Sequence, residues 1–201
     1  TRLGLRFEHL LCFWLQDEGY HPYQLLGHSI QKIAGSTTLG ELDFLLFNQH
    51  TQQVEHWEVA LKYYLAEAEL NLAQWFGLNR ADTLQRKLQH FTQRQFQFSK
   101  ANELPIQVKF AVMKGQLFLP DIPNNIALPG WINTSRRLGL WGSHIPATPY
   151  QRLQRHEWLC PNQQATSTTA KWWTNGLYYS ANAAAQFYMF RQAPLLFAAN
   201  S

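Results

Sequence analysis

What this sequence has little of removes several classes of protein. Cysteine occurs twice in 201 residues, at Cys12 and Cys160. Two lone thiols in apolar or turn contexts cannot form the disulfide framework of a small secreted domain, so reduced thiols in a cytoplasmic protein are expected. No apolar run approaches the ~20 residues of a membrane-spanning helix, and no membrane partner is expected. The opening Thr1-Arg2-Leu3-Gly4 has no basic segment leading into an apolar stretch and a small-residue cleavage site, so no secretory signal is expected. No Gly-rich phosphate loop precedes a helix, and there is no Gly-x-Ser-x-Gly elbow. Dinucleotide-binding, kinase-like and serine-hydrolase readings therefore have no residues to rest on. His144 and His156 lack partners at metal-motif spacing, which leaves zinc unsupported.

What is present points to a packed domain. A hydrophobic fraction of 46% with 14% aromatics supplies a sizeable core, and disorder requires the opposite balance. The net charge of +4 conceals an asymmetry. Residues 1–70 hold four Lys/Arg against nine Asp/Glu, whereas residues 71–201 hold thirteen against four. An acidic segment suits a divalent cation, and a basic one suits a polyanion beside it.

Periodicity orders the chain. Leu5 to Leu15 places apolar residues at helical intervals and stops near Gly19, which predicts an amphipathic first helix. His28–Ala34 is an expected strand, followed by a turn at Gly35 to Thr38. Gly40–Phe47 is a second strand, Asn48–Gln53 a polar hairpin loop, and Val54–Leu65 a third strand. Ala66–Phe76 is expected to be helical. Asp82 is the expected N-cap of a long helix ending near Ser99, with Leu84, Leu88, Phe91, Gln95 and Phe98 along one face. Ile106–Val112 returns to period two, and Met113-Lys114-Gly115 is expected to turn it into Gln116–Leu119. Pro120–Gly130 is loop, Pro149–Leu159 a short helix, Gln163–Ala170 a polar linker, and Lys171–Phe197 an aromatic terminal hairpin. This order predicts a mixed α/β domain.

Side chains alternate along a strand, so Glu41, Asp43 and Leu45 share one face, and Glu58, Ala60 and Lys62 share one face of the next. A hairpin around residues 48–53 brings Asp43 near Glu58. Two adjacent carboxylates can hold Mg²⁺ or Mn²⁺ through oxygen, with water completing the octahedron, and an ammonium beside them can orient an attacking water or stabilise phosphoryl charge. The alternative is a solvated strand face. Against it stand the neighbours Leu42, Phe44, Trp57 and Val59, which read as covered central strands where unpaired charge is costly.

The segments Gly40-Glu41-Leu42-Asp43-Phe44-Leu45-Leu46 and His56-Trp57-Glu58-Val59-Ala60-Leu61-Lys62-Tyr63-Tyr64-Leu65 resemble the signature of a bacterial domain-of-unknown-function family, number 1853, grouped with the PD-(D/E)xK nuclease superfamily. The likeness extends through Asp82–Leu88, Gly115–Pro120 and Arg152–Leu159. It implies an α/β fold with a PD-(D/E)xK (restriction-endonuclease-like) core, a mixed sheet flanked by helices, over residues 1–120. Residues 121–201 would be a C-terminal aromatic-rich elaboration packed on the same domain. The implied catalytic set is Asp43 and Glu58 as metal ligands, Lys62 assisting the water, and Glu8 in support from the first helix. One departure stands out. The superfamily pattern places lysine two residues after the glutamate, where this chain has Ala60; Lys62 lies one pleat further, about 6–7 Å along the strand.

Other residues are weighed beside these. Glu41 is either a further carboxylate ligand or an edge charge, and His56 shares the parity of Glu58. Arg86, His90 and Arg94 recur on one polar helix face, with Lys87 adjoining the apolar stripe. Arg86, Lys87 and Arg94 are the expected contacts to nucleic-acid phosphates. Trp141 and His144, after Arg136-Arg137, could stack and pair over the site. The expected activity is metal-dependent hydrolysis of nucleic-acid phosphodiesters. The alternative is a non-catalytic nucleic-acid- or protein-binding module on the same fold.

Overall fold

The computed structural model describes residues 2–67, 69–122, 127–161 and 173–192; the linker expected at 163–170 lies outside them. The chain divides into two compact units, residues 1–62 with 80–115, and residues 63–79 with 116–201. The mixed α/β class is as expected, with strands dominating and two α-helices among the described residues. No helix among them is long and apolar enough to cross a membrane.

In the first unit, helix α1 (Leu3–Leu15) precedes strands β1 (Tyr23–Ala34), β2 (Thr37–Asn48) and β3 (Gln53–Ala66), the last of which runs on into the second unit. Both hairpins are antiparallel. Along β2, Phe44 and Leu46 turn to one face and Leu45 to the other. Phe44 and Leu46 pack with Leu15, Leu11 and Cys12 of α1. Leu45 joins Leu42, Val54 and Ala101 in a second core with Ile30, Phe98 and Ile106 around it. Fully burying one such side chain contributes about 1.5–3 kcal/mol, so these contacts fix α1 against the strands. The β2–β3 turn is tighter than the expected loop, because Asn48 Oδ1 accepts from the backbone N–H of His50 and Thr51 (3.0 and 3.3 Å). Its Nδ2 donates to the buried Glu55, whose other oxygen accepts from the Trp57 indole.

Four expected elements differ. Among the described residues of 66–76 there is no α-helix. After β3 come a 3-10 helix at Leu72–Gln74, capped by the Asn71 side chain, and strand β4 (Trp75–Phe76) paired to β3. Trp75 is fully buried and donates to the Leu70 carbonyl, so the demand for that indole in the core overrides local periodicity. The long helix is instead α2 (Leu84–Gln93), capped by Thr83 rather than Asp82, and it gives way to a 3-10 helix at Gln95–Gln97. Thr92 bonds back to the carbonyls of Leu88 and Gln89, which weakens a helix just where this one ends. Beyond the small pair β5 (Lys100–Ala101) and β6 (Leu104–Pro105), strand β7 (Val108–Pro120) runs straight through the expected turn at 113–115. The short helix expected at 149–159 is a two-residue strand, Gln151–Arg152, followed by a 3-10 helix at Arg155–Trp158.

The second unit is built on aromatics. Strand β8 (Gly139–Gly142) lies parallel to β7 and to β11 (Phe187–Phe190); β11 pairs antiparallel with β10 (Gly176–Tyr179), and β10 with β9 (Gln151–Arg152). The β10–β11 pair is the terminal hairpin expected from the sequence. Tyr150, Tyr178, Tyr188 and Phe190 form its core with Trp173, which stacks on Tyr178 at 3.9 Å.

Gly115 shows why β7 needs no turn there. Its φ is +140°, and a Cβ at that position would stand 1.6 Å from the Lys62 carbonyl oxygen. Only glycine lets β7 pass that close to β3. Gly115→Ala is expected to cost about 3 kcal/mol or more, read as a lower urea midpoint. An unchanged midpoint would mean that the two backbones are not in contact.

Candidate functional site

The β2–β3 ladder pairs Asn48 with Gln53 and continues to Phe44 with Trp57, where it stops. The next opposed residues are Asp43 and Glu58. The strands separate here, and the backbone N–H groups left without ladder partners are taken by the two carboxylates, each across to the other strand. Val59 N–H donates to Asp43 Oδ2 at 2.7 Å, and Asp43 N–H donates to Glu58 Oε1 at 3.4 Å. An unpaired backbone donor in a covered sheet is costly, so the acids are structural here before they are anything else.

Glu58 is fully buried. His56, also fully buried, donates its Nε2–H to Oε1 at 2.6 Å, and the Gln95 amide donates to Oε2. Phe96 packs edge-on against the His56 ring. The 3-10 helix after α2 therefore brings Gln95 onto the Glu58 carboxylate and Phe96 onto the His56 ring, which a longer α2 would not do. His56 Nδ1 is buried without a partner among the described residues. Asp43 differs from Glu58: no partner to its Oδ1 exists among the described residues.

That difference has an electrostatic consequence. Burial and the Glu58 carboxylate push Asp43 up from 3.8 to about 7; the Val59 N–H pulls the other way, Glu8 adds to the rise, and Lys87 opposes it. Glu8 itself, on α1, is bonded to His28 of β1 at 2.9 Å. Lys62 is ion-paired with Asp82, the residue expected to cap α2. Lys87 is half-buried with its ammonium 3.9 Å from the centre of the Phe91 ring. Burial and the nearby Lys62 lower it below the usual lysine range, against the opposing pull of Asp43, Glu58 and Asp82.

A cavity of about 650 Å³ opens beside Asp43, lined by Glu8, Glu41, His90, Arg94 and Gln95 among others. Of the sequence candidates, Asp43, Glu8, Glu41 and Arg94 thus meet at one cavity, and Glu58 adjoins Asp43. Arg86 is exposed and bonded to the Ala81 carbonyl, and neither it nor Lys87 is in the lining. Trp141 and His144 belong to the second unit, where Trp141 donates to the Ala66 carbonyl and His144 to Asp121. Gln95 and Asp82 carry no sequence signal for their roles, since each depends on where α2 begins and ends. Among the described residues no three His, Cys, Asp or Glu side chains converge as a ready-made metal cage.

The family model described as Domain of unknown function (DUF1853) matches residues 1–199. The chain belongs to that family. No curated protein and no solved structure matches it. In this DUF1853 chain the acidic pair, rather than any likeness to a characterised relative, is what speaks to chemistry.

A raised Asp43 makes stability depend on pH in a definite direction. The folded state binds the Asp43 proton more tightly than the unfolded state, so its contribution is full below pH 3.8 and is lost as pH rises through about 7. Asp43→Asn keeps an acceptor for Val59 and removes the charge. It is expected to flatten the decline in melting temperature between pH 5 and 8, and to be more stable than wild type at pH 8 by a few kcal/mol, on the order of the linkage energy of such a shift. A variant as pH-dependent as the wild type would show that Asp43 titrates normally.

Proposed function

We propose that this chain is a Mg²⁺- or Mn²⁺-dependent nuclease on a PD-(D/E)xK-type core. The observation that carries the reading is the meeting of Asp43 and Glu58 where the β2–β3 ladder opens, with Asp43 raised by burial and by its neighbour's charge. The fit to a hard cation is chemical: two oxygen donors, one with an unpartnered oxygen at the edge of a cavity, suit an ion that keeps several waters. Asp43 and Glu58 would hold it, and when bound it would polarise a phosphoryl oxygen and acidify a water.

The remaining roles fall to residues of the same unit. His56 and Gln95 hold the Glu58 carboxylate in one orientation. Glu8, kept in place by His28, adds negative charge on the cavity wall. Arg94 and His90, on that wall, suit contacts to a nucleic-acid backbone, and Arg86 extends the basic face of α2. Lys87 brings an ammonium within electrostatic reach of the acidic pair, and Lys62 lies within reach of Lys87. Lys62 is held by Asp82, whereas Lys87 interacts with Asp43 and Glu58 and carries no ion pair at contact distance among the described residues. We assign to Lys87 the larger share in orienting the attacking water, with Lys62 supporting. The two free thiols, Cys12 and Cys160, suit a reducing, cytoplasmic setting.

A second reading, a non-catalytic nucleic-acid- or protein-binding module, is favoured by one observation: Glu58 and Lys62 are already engaged, by His56 with Gln95 and by Asp82.

Incubating the chain with single- and double-stranded DNA and RNA in Mg²⁺ or Mn²⁺ separates the two. Cleavage is expected, lowered about 100-fold or more by Asp43→Asn, Glu58→Gln or Lys87→Met and less by Lys62→Met. Binding without cleavage, indifferent to Asp43→Asn, would instead establish the second reading.

A further inference from the structure

The second unit has a cavity of its own, of about 210 Å³, with no Asp or Glu in its lining. Three guanidinium groups line it, from Arg152, Arg155 and Arg191, together with Trp158, Asn175 and Gly176. Arg152 ends β9, Arg155 and Trp158 come from the 3-10 helix that follows, and Arg191 lies just past β11. The order β9-β10-β11 brings these ends together.

Their partners are neutral. Arg152 donates to Thr174 Oγ1 and to the Asn175 carbonyl, and Arg191 donates to the Leu78 carbonyl at 3.1 Å. Arg155 lies over the Trp158 ring, 4.0 Å from its centre. None of the three is ion-paired among the described residues. Carbonyls, a hydroxyl and an indole face orient guanidinium planes without neutralising them. Three like charges around a small cavity repel one another, and the half-buried Arg191 bears a desolvation cost that no acid offsets. Two further features belong to the same place. A Cβ at Gly176 would stand 3.3–3.4 Å from the Arg152 nitrogens, so the bare backbone there lets that guanidinium lie flat against β10. The Trp158 indole N–H is buried without an acceptor among the described residues.

We propose that this cavity is a binding site for a dianionic phosphoryl group, that of a nucleotide, a strand terminus or free phosphate. Each guanidinium has five N–H donors in a planar fork, and the protein takes two from Arg152 and one from Arg191. The remainder can serve the three terminal oxygens of a phosphomonoester, which a carboxylate with two oxygens would leave partly unused. Three positive charges also match a dianion better than the single charge of a phosphodiester. The site requires no metal and shares no residue with the acidic pair, so it stands or falls apart from the nuclease reading.

Calorimetric titration of the full chain in EDTA tests it, with inorganic phosphate, a nucleoside monophosphate, and one oligonucleotide bearing either a 5′-phosphate or a 5′-hydroxyl. Saturable phosphate binding is expected, weakened about tenfold or more by Arg155→Gln or Arg191→Gln and weakened by added salt. Tighter binding of the monophosphate identifies a nucleotide as the source. A preference for the 5′-phosphorylated strand over its hydroxyl twin identifies a strand terminus. Arg191 also holds the Leu78 carbonyl, so Arg155→Gln carries the test if the Arg191 variant does not fold. No saturable binding of any phosphoryl probe by the folded chain, or equal affinity in wild type and Arg155→Gln, overturns the proposal.

Discussion

The structure of the first unit turns on one exchange of hydrogen bonds. Where β2 parts from β3, the Asp43 carboxylate accepts the Val59 N–H and the Glu58 carboxylate accepts the Asp43 N–H. Without them the separation would leave donors unsatisfied between covered strands, and the ladder would gain by closing. With them the strands can diverge, and two acids are held where a sheet would otherwise tolerate neither. The cost appears as charge. Glu58 is satisfied by His56 and Gln95, whereas Asp43 is left raised to about 7 by burial and by its neighbour. In the metal-dependent reading proposed above, a bound cation would lower Asp43 again.

Helix α2 is fitted to that arrangement. By stopping at Gln93 it lets a 3-10 turn lay Gln95 on Glu58 and Phe96 on the buried His56. It starts at Leu84 after a Thr83 cap, with Asp82 outside the helix and ion-paired with Lys62, and it places Lys87 half-buried over Phe91. One short helix thus organises both lysines and the second carboxylate. The second unit solves a different problem with aromatic packing, and at one end of its strands it gathers three guanidinium groups with no ion pair among the described residues.

How much of this could be read from the residues alone depended on whether a contact was local. The alternation of Asp43 against Leu42 and Phe44, and of Glu58 against Trp57 and Val59, marked two covered strands, and a hairpin at 48–53 was enough to bring the acids together. The engagement of Lys62 was not legible, because it depends on Asp82 lying outside α2, and the sequence favoured Asp82 as the cap. Thr83 wins because its hydroxyl reaches the Arg86 N–H. Gln95 looked like part of an apolar helix face; its contact with Glu58 exists only because the helix ends two residues earlier. Gly115 carried an ordinary turn signal, and only the approach of the Lys62 carbonyl reveals that it serves a continuous strand. The arginine cavity was invisible for the same reason: residues 152, 155 and 191 are joined by strand order, not by spacing.

Burial and the Glu58 carboxylate together hold Asp43 protonatable near neutrality. Titrating its side-chain carboxyl by carbon-13 NMR, with and without Mg²⁺, tests this most directly. A midpoint near 7 in the absence of metal and a marked fall on addition of Mg²⁺ are expected. A midpoint in the ordinary aspartate range that Mg²⁺ does not move would contradict it.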